Sequence, residues 1–222
     1  MDIKAMIKER HSVRQFTGQI ISDELRDRIQ ELVIQCNAES GLSIQAIYDD
    51  PECFQTLLAH YGKFKNAVNY IALVGDASMD RLNEQCGYYG EKIVLGLQDM
   101  GLRSCWVGGT YGKGKCKADT SKNEKIVCVI VFGYGENDGV KHSTKPAYKL
   151  CNVKEEDMPS WFRNGMVAAM MAPTAINQQK FYITLDGEKV KIKAKAGPFS
   201  KVDLGIVRYH FEAVTGRKCE LE

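Results

Sequence analysis

Arg10, Ser12 and Arg14 stand in the run "ERHSVRQF", just ahead of a Phe16-Thr17-Gly18 break. Read as a helical turn, the i and i+4 spacing sets the two arginines on one side. Each guanidinium is a planar fork that can grip one phosphate, and Ser12 adds a hydroxyl and a backbone N–H. His11 lies within the same run. The rival reading is a solvated basic patch at a helix end. Lys141 and Lys145, in "GVKHSTKPAYK", either add charge to the same anion or decorate a loop.

Two further stretches could do chemistry with a planar ligand. "GLRSCWVGGTYGKG", Gly101 to Gly114, is rich in glycine but lacks both the G-x-G-x-x-G order and the G-x-x-x-x-G-K-[ST] order. Gly108-Gly109 after an apolar strand therefore reads either as backbone open to a flat ligand or as a plain turn. "MVAAMMAPTAINQQKFYITL" is an apolar helix face, a stop at Pro173 and an alternating strand. Neither the stop nor the turn requires the amides Asn177, Gln178 and Gln179 beside Thr174. Arginines for a phosphate, a Gly-Gly edge for a ring and amides for ring carbonyls together suit flavin mononucleotide, FMN.

These residues need elements to position them. Ser22–Cys36 reads as a helix with a Ser/Asp cap and a stripe of Leu25, Ile29, Leu32, Val33 and Cys36. Phe54–His60 reads as a short helix, Asn69–Gly75 as a buried strand, and Cys86–Met100 as a helix stopped by Gly101. Trp106–Gly109 is a strand end, and Lys125–Tyr134 is the strongest strand pattern. Helix Trp161–Met171, strands Phe181–Leu185 and Val190–Ala194, and helix Asp203–Val214 complete the order. Alternating strands and helices make the class α/β or α+β. Lys189, Lys191, Lys193 and Lys195 read as the solvated face of an edge strand, or as the face that meets an acidic partner.

A weak repeat runs through this order. "NAESGLSIQAIYDD" and "MAPTAINQQKFYITLD" both follow an apolar helix and lead into a β-like run, with Gln45 and Gln179 in equivalent places. Gly90 and Gly101 bracket one helix as Gly205 and Gly216 bracket another.

Composition sets the bounds. A chain of 222 residues, 44% hydrophobic and 26% charged, is an ordinary globular protein of one large domain or two small ones. A net charge of +2 gives no reason to expect nucleic acid or an anionic membrane. No apolar run approaches the roughly 20 residues of a membrane span. The charged start "MDIKAMIKERHSVRQF" has no apolar signal-peptide core. Eight cysteines scattered without C-x-x-C or a clustered Cys/His set read as reduced thiols in a cytoplasmic protein with no metal site.

The motifs together resemble the nitroreductase-like flavoproteins. "ERHSVRQF" is similar to their Arg-x-Ser-x-Arg motif. "MGLRSCWVGG" is similar to their Gly-Leu-Gly-x-x-Trp-x-Gly-Gly segment, and "APTAINQQKF" to their Ala-Pro-Ser-x-x-Asn-x-Gln-Pro-Trp segment. "VIVFGYGEND" looks like the late strand before their basic tail. The order departs from the usual one, because "NAESGLSIQ" stands where the Pro-Ser-x-x-Asn segment is expected and the intact version comes late. Lys180-Phe181 replaces Pro-Trp. The chain thus resembles the TM nitroreductase branch in which two half-units are fused.

The resemblance implies an α+β fold of the nitroreductase-like three-layer sandwich type, with two pseudo-symmetric half-units in one chain. Residues 1–150 would form the first half-unit, carrying Arg10, His11, Ser12, Arg14, Gly108 and Gly109. Residues 151–222 would form a shorter second half-unit whose Pro173, Thr174, Ala175 and Asn177 complete the flavin site. Lys141 and Lys145 loosely match the late basic pair. The implied activity is an FMN-dependent NAD(P)H oxidoreductase, reducing nitroaromatics, quinones or similar small acceptors by a ping-pong route. No catalytic side chain is implied, and the protein would be a monomer or homodimer. The alternative is a flavin-binding protein without significant turnover, a sensor or electron store.

Overall fold

The computed structural model describes residues 2–222; Met1, at the start of the expected first half-unit, lies outside the described residues. The helices are α1 (Ile3–Glu9), α2 (Asp23–Ser40), α3 (Leu57–His60), α4 (Leu82–Asp99), α5 (Ser160–Met170) and α6 (Ser200–Thr215). The strands are β1 (Gln45–Ile47), β2 (Asn69–Asp76), β3 (Arg103–Val107), β4 (Glu124–Gly133), β5 (Phe181–Asp186), β6 (Lys189–Ala194) and β7 (Cys219–Leu221). They belong to two units interleaved along the chain. Residues Arg10–Leu82 and Lys92–Lys141 form one; residues 2–9, Asn83–Glu91 and His142–Glu222 form the other.

In the unit of Arg10–Leu82 and Lys92–Lys141, the sheet order is β1-β2-β4-β3, with every pair antiparallel. β4 is interior, which explains its long apolar run: a strand covered on both faces does not alternate. Its register sets Ile71 opposite Ile130 and Cys105 opposite Val131. Val13, Phe16, Phe54, Tyr70, Val74, Val107 and Tyr111 join Val129 and Val131 in the core. The N-cap of α2 follows the sequence reading, and the helix runs one turn past the expected end at Cys36. The Ser22 hydroxyl accepts the Leu25 N–H, and Gly41 closes the helix at φ 73°. Phe54–His60 is not one helix: a 3-10 turn at Glu52–Phe54 buries Cys53 and Phe54 side by side, and α3 follows separately.

In the other unit, β5 and β6 form a hairpin turning at Gly187, and β7 pairs parallel to β6. β6 is therefore the central strand of three rather than the expected edge. Val190 and Ile192 point into the core, while Lys191 pairs with Asp186 at 3.0 Å and Lys193 with Glu222 at 3.1 Å. The lysines keep the solvated face that the alternation implied. The edge reading failed because β7 lies at the far end of the chain and exists only through this pairing.

Helices α5 and α6 pack beside the Asn83–Glu91 part of α4. The buried His210 ring bridges all three, with Nδ1 2.9 Å from the Ala168 carbonyl and Nε2 2.8 Å from Glu91. Gly87 and Gly205 let the backbones of α4 and α6 touch. A Cβ on Gly205 would stand 2.0 Å from the Glu84 carbonyl oxygen, and one on Gly87 would stand 2.0 Å from that of Val202. Neither obstacle is a side chain that can swing away. We therefore expect Gly205→Ala to force the helices apart and to cost at least about 2–3 kcal/mol, at the upper end for overpacking. Urea unfolding checks this, with Gly216→Ala, at a C-cap facing open space but at φ 67°, as a comparison for backbone strain alone.

Candidate functional site

Arg10 to Arg14 is extended, not the helical turn that the spacing suggested. The Val13 N–H donates to the Ser104 carbonyl at 3.0 Å, and Ser12 forms a parallel bridge with Ser104 on β3. The Phe16 N–H goes on to the Lys65 carbonyl, and Val13 and Phe16 are buried. Two apolar anchors and a strand edge override the local helical option. The consequence for Arg10, Ser12 and Arg14 survives the change of conformation. In an extended chain side chains alternate, so these three share a face and His11 and Val13 share the other.

The Cys105 thiol on β3 registers this convergence. Burial pushes it up most, while the charge of Arg14, a hydrogen bond with Ser12 and the charge of Arg10 each pull it back. Arg10 is buried, only 3% exposed, whereas Arg14 is exposed. The Arg14 guanidinium makes no hydrogen bond or ion pair among the described residues. His11 turns its Nδ1 to the Arg10 carbonyl at 2.8 Å.

Gly108 and Gly109 follow β3 directly, and neither has positive φ. Backbone conformation therefore does not require glycine there. A Cβ on Gly109 would meet nothing within 4 Å, so the space beside it is open. Among the sequence candidates, Arg10, His11, Ser12, Arg14, Gly108, Gly109 and Lys141 share this unit. Lys141 is exposed, two residues after Gly139, which packs against His11 and the Ser12 carbonyl.

Lys145, Pro173, Thr174, Ala175 and Asn177 belong to the other unit. Pro173 follows the end of α5, as the helix-stop reading expects. The next turn is strained: Ile176, Asn177 and Gln179 have φ of 47°, 53° and 44°, and Ile176 is a β-branched residue 89% exposed. Amides hold it there. The Asn177 Nδ2 donates to the Ser143 carbonyl at 3.0 Å, and its Oδ1 accepts from Gln179 Nε2 at 2.9 Å. Gln179 Nε2 also donates to Ser143, its Oε1 accepts the Lys145 N–H at 2.7 Å, and its own N–H donates to Thr174 Oγ1. The Lys145 ammonium donates to the carbonyls of Gln178 and Gln179. The amide cluster thus knits residues 143–145 to residues 174–179. Asn177 keeps one N–H and one lone pair beyond these bonds, whereas the Lys145 cation is spent on carbonyls.

Asp203, in the first turn of α6, is the anchor that sequence reading missed. It accepts the Ala175 N–H at 2.9 Å and Gln178 Nε2 at 2.7 Å, and it is buried. Burial pushes its carboxyl up to about 6, against the opposing pull of these donors. An acidic residue in a helix first turn is too common a signal to mark such a role.

The family model described as "Putative TM nitroreductase" matches residues 2–215, and the chain belongs to that family. A curated relative, the oxygen-insensitive NADPH nitroreductase of Helicobacter acinonychis (strain Sheeba), is 29% identical over 127 residues. That match spans 52% of this chain and only 57% of the relative. A crystal structure titled a "putative nitroreductase" from Thermotoga maritima superposes at TM-score 0.71 with 22% identity, covering 96% of this chain and 83% of its own. A second, from Desulfovibrio desulfuricans in complex with FMN, gives TM-score 0.55 at 21% identity over 72% of this chain and 99% of its own. A third, from Exiguobacterium sibiricum and also in complex with FMN, gives 0.55 at 14% identity over 69% and 98%. The fold is α+β and nitroreductase-like. No helix among the described residues is long and apolar enough to cross a membrane, and these residues contain no cluster able to hold a metal ion.

Two outcomes follow for the amide-held turn. Because the Asp203 carboxyl titrates higher in the fold than its ordinary 3.8, ionisation is harder in the folded state. The Asp203 contribution to stability should be full below about pH 4, fall by on the order of 2–3 kcal/mol as the pH rises through about 6, and level off above. Asp203→Asn should remove that segment of the slope in urea midpoints taken from pH 4 to pH 7. Asn177→Leu should cost about 2–3 kcal/mol, from two lost hydrogen bonds and a left-handed backbone that leucine resists. Asn177→Gly, which relieves the backbone strain, should cost less in the same unfolding measurement.

Proposed function

We propose that this chain is an FMN-dependent NAD(P)H oxidoreductase that reduces small acceptors, nitroaromatics or quinones, by a ping-pong route. Family membership supports the class, and two FMN complexes among the structural neighbours support the cofactor. The NADPH in the curated relative's name supports the donor. The observation that carries the reading in this chain is Arg14. An exposed guanidinium without a partner among the described residues shares one face of an extended segment with Ser12 and the buried Arg10. Such a strip matches a phosphate monoester, which takes forked donors from guanidinium groups and a hydroxyl bond between them.

In this assignment Arg10 and Arg14 hold the phosphate and Ser12 donates to it, with His11 ordering the backbone between them. Gly108 and Gly109 leave open backbone for the ring. Pro173, Thr174, Ala175 and Asn177 present the polar groups for its edge, using the capacity Asn177 retains. Lys141 adds long-range positive charge, while Lys145 acts through the turn that it braces. When bound, FMN supplies a hydride acceptor for NAD(P)H and a donor for the second substrate. The chain's own residues then bind and orient, and none needs to act as nucleophile or general base.

We also read the chain as two related half-units, residues 1–150 and 151–222, one FMN being expected per chain. Gln45 and Gln179 support the duplication beyond their place in the sequence. Gln45 grips the N–H and carbonyl of Asp119, as Gln179 grips the Lys145 N–H and the Ser143 carbonyl. Eight free cysteines, seven of them buried, suit the reducing cytoplasm.

Visible absorbance of the purified protein under anaerobic titration tests the function. The expected result is a yellow protein with one FMN per chain, bleached by NADH or NADPH and recoloured by a nitroaromatic or a quinone. A protein that takes up no FMN overturns the proposal. Bound FMN that neither nucleotide reduces would instead establish the non-catalytic flavin protein.

A further inference from the structure

Cys53 and Cys116 are far apart in sequence but meet side by side in the unit of Arg10–Leu82 and Lys92–Lys141. Cys53 is buried in the 3-10 turn Glu52–Phe54, and Cys116 follows the Gly-rich loop. Several bonds pin the two segments together. The Gly112 N–H donates to the Cys53 carbonyl at 2.7 Å, and the Lys117 N–H donates to the Tyr70 hydroxyl at 2.9 Å. Lys117 Nζ lies 3.4 Å from the buried Asp50, and Lys115 Nζ lies 3.5 Å from Glu52. Between these pins Cys116 packs against the core cluster that contains Cys53, close enough for each thiol to shift the ionisation of the other.

The pair is asymmetric. Cys53 and the Ala118 N–H lower the Cys116 thiol against the opposing push of burial, whereas Cys116 and burial hold Cys53 protonated. The Tyr70 hydroxyl is close, but its proton goes to Asp50 Oδ2 at 2.6 Å. The Asp50 charge works against the thiolate without reversing the direction. Cys116 is also the one cysteine of the eight that is not buried. By contrast, burial pushes the thiols of Cys36, Cys105, Cys151 and Cys219 up. A partly exposed thiolate with a second thiol against it is the arrangement of an attacking and a resolving cysteine.

We propose that Cys116 and Cys53 form a peroxide-reactive dithiol site that closes reversibly to a disulfide and ties the end of the Gly-rich loop to the Glu52–Phe54 turn. The Cys116 thiolate attacks one oxygen of hydrogen peroxide. The O–O bond breaks, the sulfur becomes a sulfenic acid, and the departing hydroxide takes a proton to leave as water. The Cys53 sulfur then attacks the Cys116 sulfur. The S–O bond breaks, the Cys53 proton leaves with the hydroxyl as a second water, and the S–S bond forms. Two thiols have lost two electrons, and one peroxide has become two waters. An exogenous dithiol restores both cysteines by exchange. The proposal needs no flavin and stands apart from the oxidoreductase reading.

The test treats the native protein with a small excess of hydrogen peroxide, then denatures it, blocks remaining thiols and maps the peptides. The expected result is loss of two of the eight thiols, one linked peptide joining Cys53 to Cys116, and full reversal by dithiothreitol. In Cys53→Ser the reaction should stop at a Cys116 sulfenic acid that dimedone traps. Oxidation spread over the other six cysteines would overturn the proposal. So would Cys116 passing to sulfinic acid while Cys53 stays a thiol, or eight thiols surviving peroxide unchanged in the native protein.

Discussion

A backbone hydrogen bond from the Val13 N–H to the Ser104 carbonyl, 3.0 Å long, lays the segment Arg10–Arg14 along the edge of β3. β3 would otherwise be a bare sheet edge on that side. The bridge extends the segment, and extension brings Arg10, Ser12 and Arg14 to one face while Val13 enters the core. β3 in turn is held by β4, whose apolar residues anchor the four-stranded sheet. The same strand delivers Gly108 and Gly109 at its end. A strip of two guanidinium groups and a hydroxyl, and the open space beside Gly109, therefore hang on one pairing between Ser12 and Ser104.

The Pro173–Gln179 turn obeys a different constraint. Its backbone sits in left-handed conformations at three non-glycine positions, each of which costs free energy. The offset comes from side-chain amides and from Asp203, a carboxylate buried to accept one backbone N–H and one amide. Such a lattice specifies one geometry sharply, because breaking any member leaves a buried polar group unpaired. Ile176 is the residue it presents outward. A strained, braced turn with an exposed apolar tip is what a preorganised contact surface requires, and an ordinary helix-to-strand connection does not.

Much of this was legible in the residues, and the failures have physical causes. Helix α2 was visible from its Ser22 cap to Cys36 because cap and stripe are local, but its last turn, Asn37–Ser40, falls beyond the apolar stripe and was not read. β2 and β4 were visible because interior strands are uniformly apolar. The extended state of Arg10–Arg14 was not, since Ser104 decides it from far along the chain. β1 and β7, three residues each, exist only through their partners, and β7 moved β6 from edge to centre. At the site, the residue types were readable but their commitments were not. Lys145 looked like a free cation and braces carbonyls. Asn177 looked free and is half used, and Asp203 and the Cys53–Cys116 pair carry no local signature.

The central claim is that the Arg10–Ser12–Arg14 face is a phosphate site, and comparative titration with FMN and riboflavin tests it most directly. The two ligands share the ring and differ in the phosphate. Arg14→Ala should weaken FMN binding by about 10- to 100-fold, the equivalent of roughly 1.5–3 kcal/mol for a hydrogen-bonded charge. Riboflavin affinity should stay at the parental value, since Arg14 is exposed and its removal disturbs no packing. Parental FMN affinity in Arg14→Ala, or an equal loss for both ligands, would contradict the account.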